Sequence, residues 1–99
     1  MSRLLDSEEI TRQLQDLPDW KLDPGAKEEG GQIAADFTFG DFGEAMVFVN
    51  RVAELAEDAN HHPDIDIRWN KVHLVLTSHD SGGLTQRDIE MAHRISSGE

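Results

Sequence analysis

Three histidines and two carboxylates are spaced so that they could handle protons together. His61 and His62 stand side by side in "EDANHHPDIDIRW", which runs from Glu57 to Trp69, and Pro63 closes the pair. His79 follows in "SHDSGGLT", with Asp88 beyond it. An imidazole, with a reference pKa of about 6.5, can give or take a proton near neutral pH. A positioned general acid or base is worth ~10²–10⁴-fold in rate. Two or three imidazoles together can serve two atoms of one substrate at once.

Each of these residues also has a plainer use. Adjacent histidines at a helix end complement the negative end of the helix dipole. Asp88 stands in Thr85-x-x-Asp88, the second half of a capping box. Glu57 is one of several acids on an acidic helix and reads unaided as solvated surface. Trp69 reads as a core residue at the end of a strand, and Gly82 and Gly83 as a turn. His73, on the polar side of its strand, and His93, near a helix edge, are not assigned to the site.

The elements that must position these groups read as three helices and two hairpins. The first helix starts at Asp6, with Glu9 completing a capping box and Leu5 and Ile10 a hydrophobic staple. Ile10, Leu14 and Leu17 share one face, and Pro18 ends the run. "DWKLD" puts Trp20 and Leu22 on one side of a short strand. "QIAADFTF" puts Ile33, Ala35, Phe37 and Phe39 on one side of the next. Pro24-Gly25 and Gly30-Gly31 break the chain between them, which predicts a hairpin.

The second helix opens at Asp41, with Glu44 three residues on. Its apolar stripe is Phe42, Ala45, Met46, Val49, Val52, Ala53 and Ala56. After the histidine pair, Ile65, Ile67 and Trp69 alternate with polar residues, as do Val72, Leu74 and Leu76 with His73, Val75 and Thr77. An Asn70-Lys71 turn would set 69 opposite 72, 67 opposite 74 and 65 opposite 76, with all six apolar residues on one face. Extended outward, that register sets position 62 opposite 79, both histidines. The third helix begins near Thr85 and buries Ile89, Ala92 and Ile95. The order α-β-β-α-β-β-α predicts an α+β fold, a four-stranded antiparallel sheet with three helices packed on one face.

The chain has 99 residues, a single domain over 1–99, and a net charge of −11. A field of that sign repels nucleic-acid phosphate and anionic lipid, so no direct nucleic-acid or membrane partner is expected. There is no cysteine, which excludes disulfides and thiolate metal sites. The opening "MSRLLDSEE" lacks an apolar run of signal-peptide length, so a cytoplasmic protein is expected. A zinc site from His61, His62, His79 and a carboxylate is chemically reasonable. Adjacent side chains on extended backbone point apart, however, so no metal is expected.

The spacing of Glu57, His61-His62-Pro63, Trp69, His79 and Asp88 resembles the motif of the pterin-4a-carbinolamine dehydratases. The similarity spans nearly the whole chain, including Trp20, "FTFGDF" from Phe37 to Phe42 and "SHDSGGLTQRD" from Ser78 to Asp88. Trp69 stands where Tyr is commoner, and Ser78 where Thr is frequent. The resemblance implies loss of water from 4a-hydroxytetrahydropterin to give quinonoid dihydropterin, in tetrahydropterin recycling. It implies His61 and His79 as the acid–base pair and His62 as a holder of substrate and transition state. Glu57 and Asp88 would orient imidazoles, with Pro63 and Trp69 completing the motif. It implies no cofactor, a pterin as the small-molecule partner, and a homodimer or homotetramer. Because relatives of the fold serve as dimerisation cofactors for a transcription factor, a non-enzymatic, partner-binding role is the alternative.

Overall fold

Asp6 begins the first helix as expected. Its carboxylate accepts from the Glu9 N–H at 2.9 Å, and the Glu9 carboxylate accepts from the Asp6 N–H at 3.2 Å. Helix α1 spans Ser7–Leu14 in the computed structural model, which describes residues 3–23 and 31–97. Leu5 and Ile10, the staple pair, are both buried in the core. Leu17 is buried as well, but it lies past the end of the helix.

Strands β1 (Trp20–Asp23) and β2 (Gln32–Thr38) pair antiparallel, with Trp20 opposite Ala35 and Leu22 opposite Ile33. The connection carrying Pro24-Gly25 and Gly30 lies outside the described residues. Helix α2 (Phe42–Ala59) is capped by Asp41, whose carboxylate accepts from the Glu44 N–H at 2.8 Å. Ala45, Val49, Val52 and Ala56 face the core as read from their spacing. Phe42 and Ala53 do not; both are exposed, and Leu55 is buried instead. The buried stripe is thus rotated slightly from the one the spacing predicts.

Strands β3 (Asp64–Arg68) and β4 (Lys71–Leu76) complete one sheet in the order β1-β2-β4-β3. The inward residues Ile33, Ala35, Val72, Leu74 and Leu76 join a single core with Val52 of α2 and with Ile89, Ala92 and Ile95 of α3 (Gln86–Ser97). Across the sheet, Asp36 and Asp66 are exposed, so the helices occupy one face. This is the four-stranded antiparallel sheet with three helices that the element order predicts.

The last hairpin differs from its predicted register by two residues. Ile65 pairs with Leu74, Ile67 with Val72 and Arg68 with Lys71, so the turn is Trp69-Asn70 and not Asn70-Lys71. Asn70 decides this. Its carbonyl accepts from the Phe39 N–H at 2.9 Å and its Nδ2–H donates to the Phe39 carbonyl at 2.8 Å. Those bonds fix Asn70 against the end of β2 and push the turn back by one position. Trp69 takes a φ of +52° at the first turn position, a conformation that glycine or asparagine normally fills in a two-residue hairpin turn.

A shift of two keeps every side chain on its own face, which is why the alternation could not detect it. The consequence falls on Trp69. It is 68% exposed in the turn, not a core residue. All of β3, the edge strand of the sheet, is exposed, including Ile65 and Ile67.

Candidate functional site

The end of α2 aims the histidines. Asn60 adopts the left-handed conformation, with φ 50° and ψ 45°. The His61 N–H then donates to the Ala56 carbonyl at 3.0 Å and the Asn60 N–H to the Glu57 carbonyl at 3.3 Å. That pair of bonds is a Schellman motif, which closes a helix and turns the chain sharply away. His61 is tucked inward to 7% exposure, while His62 stays at the surface.

The second wall is a closed loop after β4. Ser78 and Gly83 bridge antiparallel, the Ser78 N–H donating to the Gly83 carbonyl at 3.1 Å. His79–Ser81 form one 3₁₀ turn at its tip, and Gly82 at φ 80° lets the chain return. Leu84 is buried beneath, and its carbonyl accepts from the Leu5 N–H at 2.9 Å. Both walls of the site therefore hang on backbone turned by a left-handed residue.

Asp88, in the first turn of α3, links the two walls. It is fully buried. Its Oδ2 accepts from Ser78 Oγ–H at 2.8 Å and from the Thr85 N–H at 2.9 Å, the latter being the expected capping contact. Its Oδ1 meets His61 Nε2 at 2.5 Å. Oδ2 is thus occupied by two donors, and Oδ1 is the oxygen left for the His61 ring. Ser78 Oγ also bonds Thr85 Oγ1 at 2.9 Å, so this buried polar cluster is linked on every side.

His62 has a carboxylate of its own, with Nε2 against Glu57 Oε2 in the last turn of α2. Both of those side chains are more than half exposed. His61, His62 and His79 line one open depression of about 330 Å³ with Asn60, Thr77, Asp80 and Arg87. That volume lies at the small end of ligand pockets, which run from ~300 to 1,000 Å³. His61 also lines a smaller depression of about 130 Å³ with Ala59, Arg87, Glu90, Met91 and Arg94.

The structure brings together His61, His62, His79, Glu57 and Asp88. Position 62 is not opposite 79, since the observed register points it towards Thr77. The histidines nevertheless share the depression because the loop after Ser78 curls back. Pro63, half-buried, starts the run into β3. Trp69 is not brought to them: it sits in the turn at the other end of the hairpin. Four lining residues were missed from sequence: Asn60, Thr77, Asp80 and Arg87. Thr77 reads from sequence as a polar position in the alternation of its strand, and Asn60, Asp80 and Arg87 are given no role there. The one available signal for Arg87 was its place beside Asp88 in the first turn of a helix, where a cation is unfavourable without a partner.

Among the described residues, no three His, Asp or Glu side chains are grouped to hold a metal ion, and no helix is long and apolar enough to cross a membrane.

The chain is similar to known proteins along nearly its whole length. The family described as Pterin 4 alpha carbinolamine dehydratase matches residues 3–97. A Thermomicrobium roseum protein named "Putative pterin-4-alpha-carbinolamine dehydratase" is 50% identical over 91 residues, 92% of this chain and 91% of its own. One of the same name from Acidobacterium capsulatum is 51% identical over 86 residues, 87% of each. A crystal structure described as a transcriptional coactivator/pterin dehydratase from Brucella melitensis superposes with a TM-score of 0.87. It is 32% identical and covers 96% of this chain and 97% of that one. A pterin dehydratase-like RuBisCO assembly factor of the alpha-carboxysome shares the fold, with a TM-score of 0.65 over 80% of this chain and 87% of its own, at 20% identity. On a match over nearly its whole length, this chain belongs to the pterin 4 alpha carbinolamine dehydratase family.

Proposed function

We propose that the chain removes water from a 4a-hydroxytetrahydropterin to give quinonoid dihydropterin, by general acid/base catalysis. The carrying observation is His61: a buried imidazole whose Nε2 is committed to Asp88, on the wall of a depression it shares with His62 and His79. In the reaction an acid protonates the 4a hydroxyl, and the C4a–O bond breaks as water leaves. The N5 proton passes to a base, and its electron pair closes the new N5–C4a double bond. No electrons enter or leave, so the step calls for no redox cofactor. His61 and His79 form the acid–base pair, and His62, steadied by Glu57, holds the substrate. The negative charge of the chain also suits a neutral bicyclic substrate better than a phosphorylated one.

The exposed apolar edge of β3, with Ile65, Ile67 and Trp69, supports assembly into a homodimer or homotetramer. The setting is the cytoplasm, where recycling of tetrahydropterin would take place. A direct dehydration assay tests the activity. Purified protein should accelerate loss of the 4a hydroxyl equally with and without a chelator, and a rate no faster than buffer would end the reading. The second reading is a non-enzymatic partner-binding role. It draws on the coactivator and assembly-factor descriptions of two structural neighbours. Capture of a partner together with a buffer-level dehydration rate would favour it.

A further inference from the structure

Arg87 is the only described residue besides His61 to line both depressions at the histidine end of the fold. It is half-buried in the first turn of α3, one position before Asp88. Its guanidinium reaches in two directions. One Nη2–H donates to the Asn60 carbonyl at 3.1 Å. Nη1 lies 3.6 Å from Asp80 Oδ2.

Both partners are chain neighbours of the site histidines. Asn60 is the left-handed residue immediately before His61-His62, and Asp80 comes directly after His79. Helix α2 has no basic residue in its own last turn. Its carbonyl end therefore takes its cations from α3, where Arg94 also pairs with Asp58 at 3.2 Å. The planar guanidinium thus hydrogen-bonds the Asn60 carbonyl and attracts the Asp80 carboxylate by charge at 3.6 Å; an ammonium does not present two such directions from one rigid plane.

We propose that Arg87 is a positioning residue that sets the separation of the His61-His62 turn from the His79 loop. Asp88 ties His61 to Ser78 from below, and Arg87 ties Asn60 to Asp80 across the mouth. The histidines on the two walls are thus held from two sides. A displacement of ~1 Å between reacting groups can cost on the order of 10²-fold in rate. The kinetic part of this proposal rests on the dehydratase reading, while its structural part does not.

The test reads the imidazoles first, with no substrate present. Side-chain ¹H–¹⁵N spectra of the histidines are compared for the wild type and for Arg87→Ala, Arg87→Lys and Asp80→Asn. Arg87→Ala should shift or broaden the His62 and His79 signals and leave His73, on the outer face of the sheet, where it is. Arg87→Lys should recover part of the change. Asp80 is mostly exposed, so Asp80→Asn leaves the fold intact even if Arg87→Ala does not, and it should move His79 more than His62.

With 4a-hydroxytetrahydropterin, Arg87→Ala should lower kcat about 10- to 100-fold, with a smaller change in KM. Arg87→Lys should recover part of that loss. Unmoved His62 and His79 signals in Arg87→Ala, or an unmoved His79 in Asp80→Asn, overturn the proposal whatever the rates. A wild type without dehydratase activity overturns the proposed reaction and leaves the spectra to judge the clamp.

Discussion

Three histidines of this chain each meet a carboxylate, in three different surroundings. His61 and Asp88 are buried together. His62 and Glu57 pair at the surface of the depression, both more than half exposed. His73 and Asp36 meet at 2.7 Å on the outer face of the sheet, in a depression they share with Asp66, Arg68 and Lys71. The contact chemistry is the same in all three. What differs is the number of alternatives each imidazole has. Water can replace Glu57 or Asp36 at little cost, since exposed pairs contribute ~0–1 kcal/mol. Nothing can replace Asp88 for His61, because the surroundings are buried and the other carboxylate oxygen already serves Ser78 and Thr85. Burial, and not the pairing itself, separates a contact that is imposed from one that is merely favoured.

That contrast can be broken most sharply at the imidazoles. His61→Ala and His79→Ala should each slow dehydration by about 10²- to 10⁴-fold, with circular dichroism unchanged, and the double variant should be inactive. A double variant near wild-type rate would remove the acid–base assignment. His73→Ala should leave the rate where it was.

Asp88→Asn comes next. An amide presents one acceptor and one donor group, so it cannot serve Ser78, Thr85 and His61 as the carboxylate does. Turnover should fall steeply, and stability by about 1–3 kcal/mol, read from kinetics and a denaturant melt on the same sample. Glu57→Gln sharpens the comparison from the exposed side. Its stability change should stay below ~1 kcal/mol, and its rate should fall less than that of Asp88→Asn. An equal or greater loss for Glu57→Gln would reverse the ranking by burial.

The smallest effect lies away from the site, at another exposed pair. Arg3 hydrogen-bonds Glu9 and, with the Asp6 N–H, holds the Glu9 carboxyl down at about 2, against an ordinary 4.5. A carboxyl whose pKa is depressed on folding stabilises the fold above its unfolded value. It loses that contribution as pH falls towards the folded one. The wild type should therefore lose a small advantage over Glu9→Gln between about pH 4.5 and pH 2, seen as converging melting temperatures. A gap that widens on acidification would contradict the sign.

The parts of this molecule legible in the sequence are those set by local rules. The capping box at Asp6 and Glu9, the start of α2 at Asp41 and the alternation of β2 each rest on neighbours within four residues. The sequence misleads where a distant partner decides. Asn70 is held by Phe39, more than thirty positions away in the chain, and that contact moved the last turn, exposed Trp69 and changed the residue facing His62. Asn60 did carry a local signal, since Asn at a helix end tolerates the left-handed conformation. Thr77 gave no usable signal, and Arg87 only its unfavourable place in the first turn of a helix, because their importance comes from walls that only the folded chain brings face to face.

The bond from the Leu5 N–H to the Leu84 carbonyl, together with the bridge between Leu4 and Thr85, has a bearing on assembly. Trp20 Nε1–H donating to Ser96 Oγ and Gln13 paired with Gln86 make similar closures, spanning 76 and 73 positions. Each must overcome the entropy of bringing remote stretches of polypeptide together. Because Asp88 lies within the segment these closures anchor, and the His79 loop leads directly into it, the proton-handling pocket should mature late in folding, after the sheet has formed. A pulse of hydrogen exchange during refolding would then find the amides of β2 and β4 protected before those of Ser78 and Gly83.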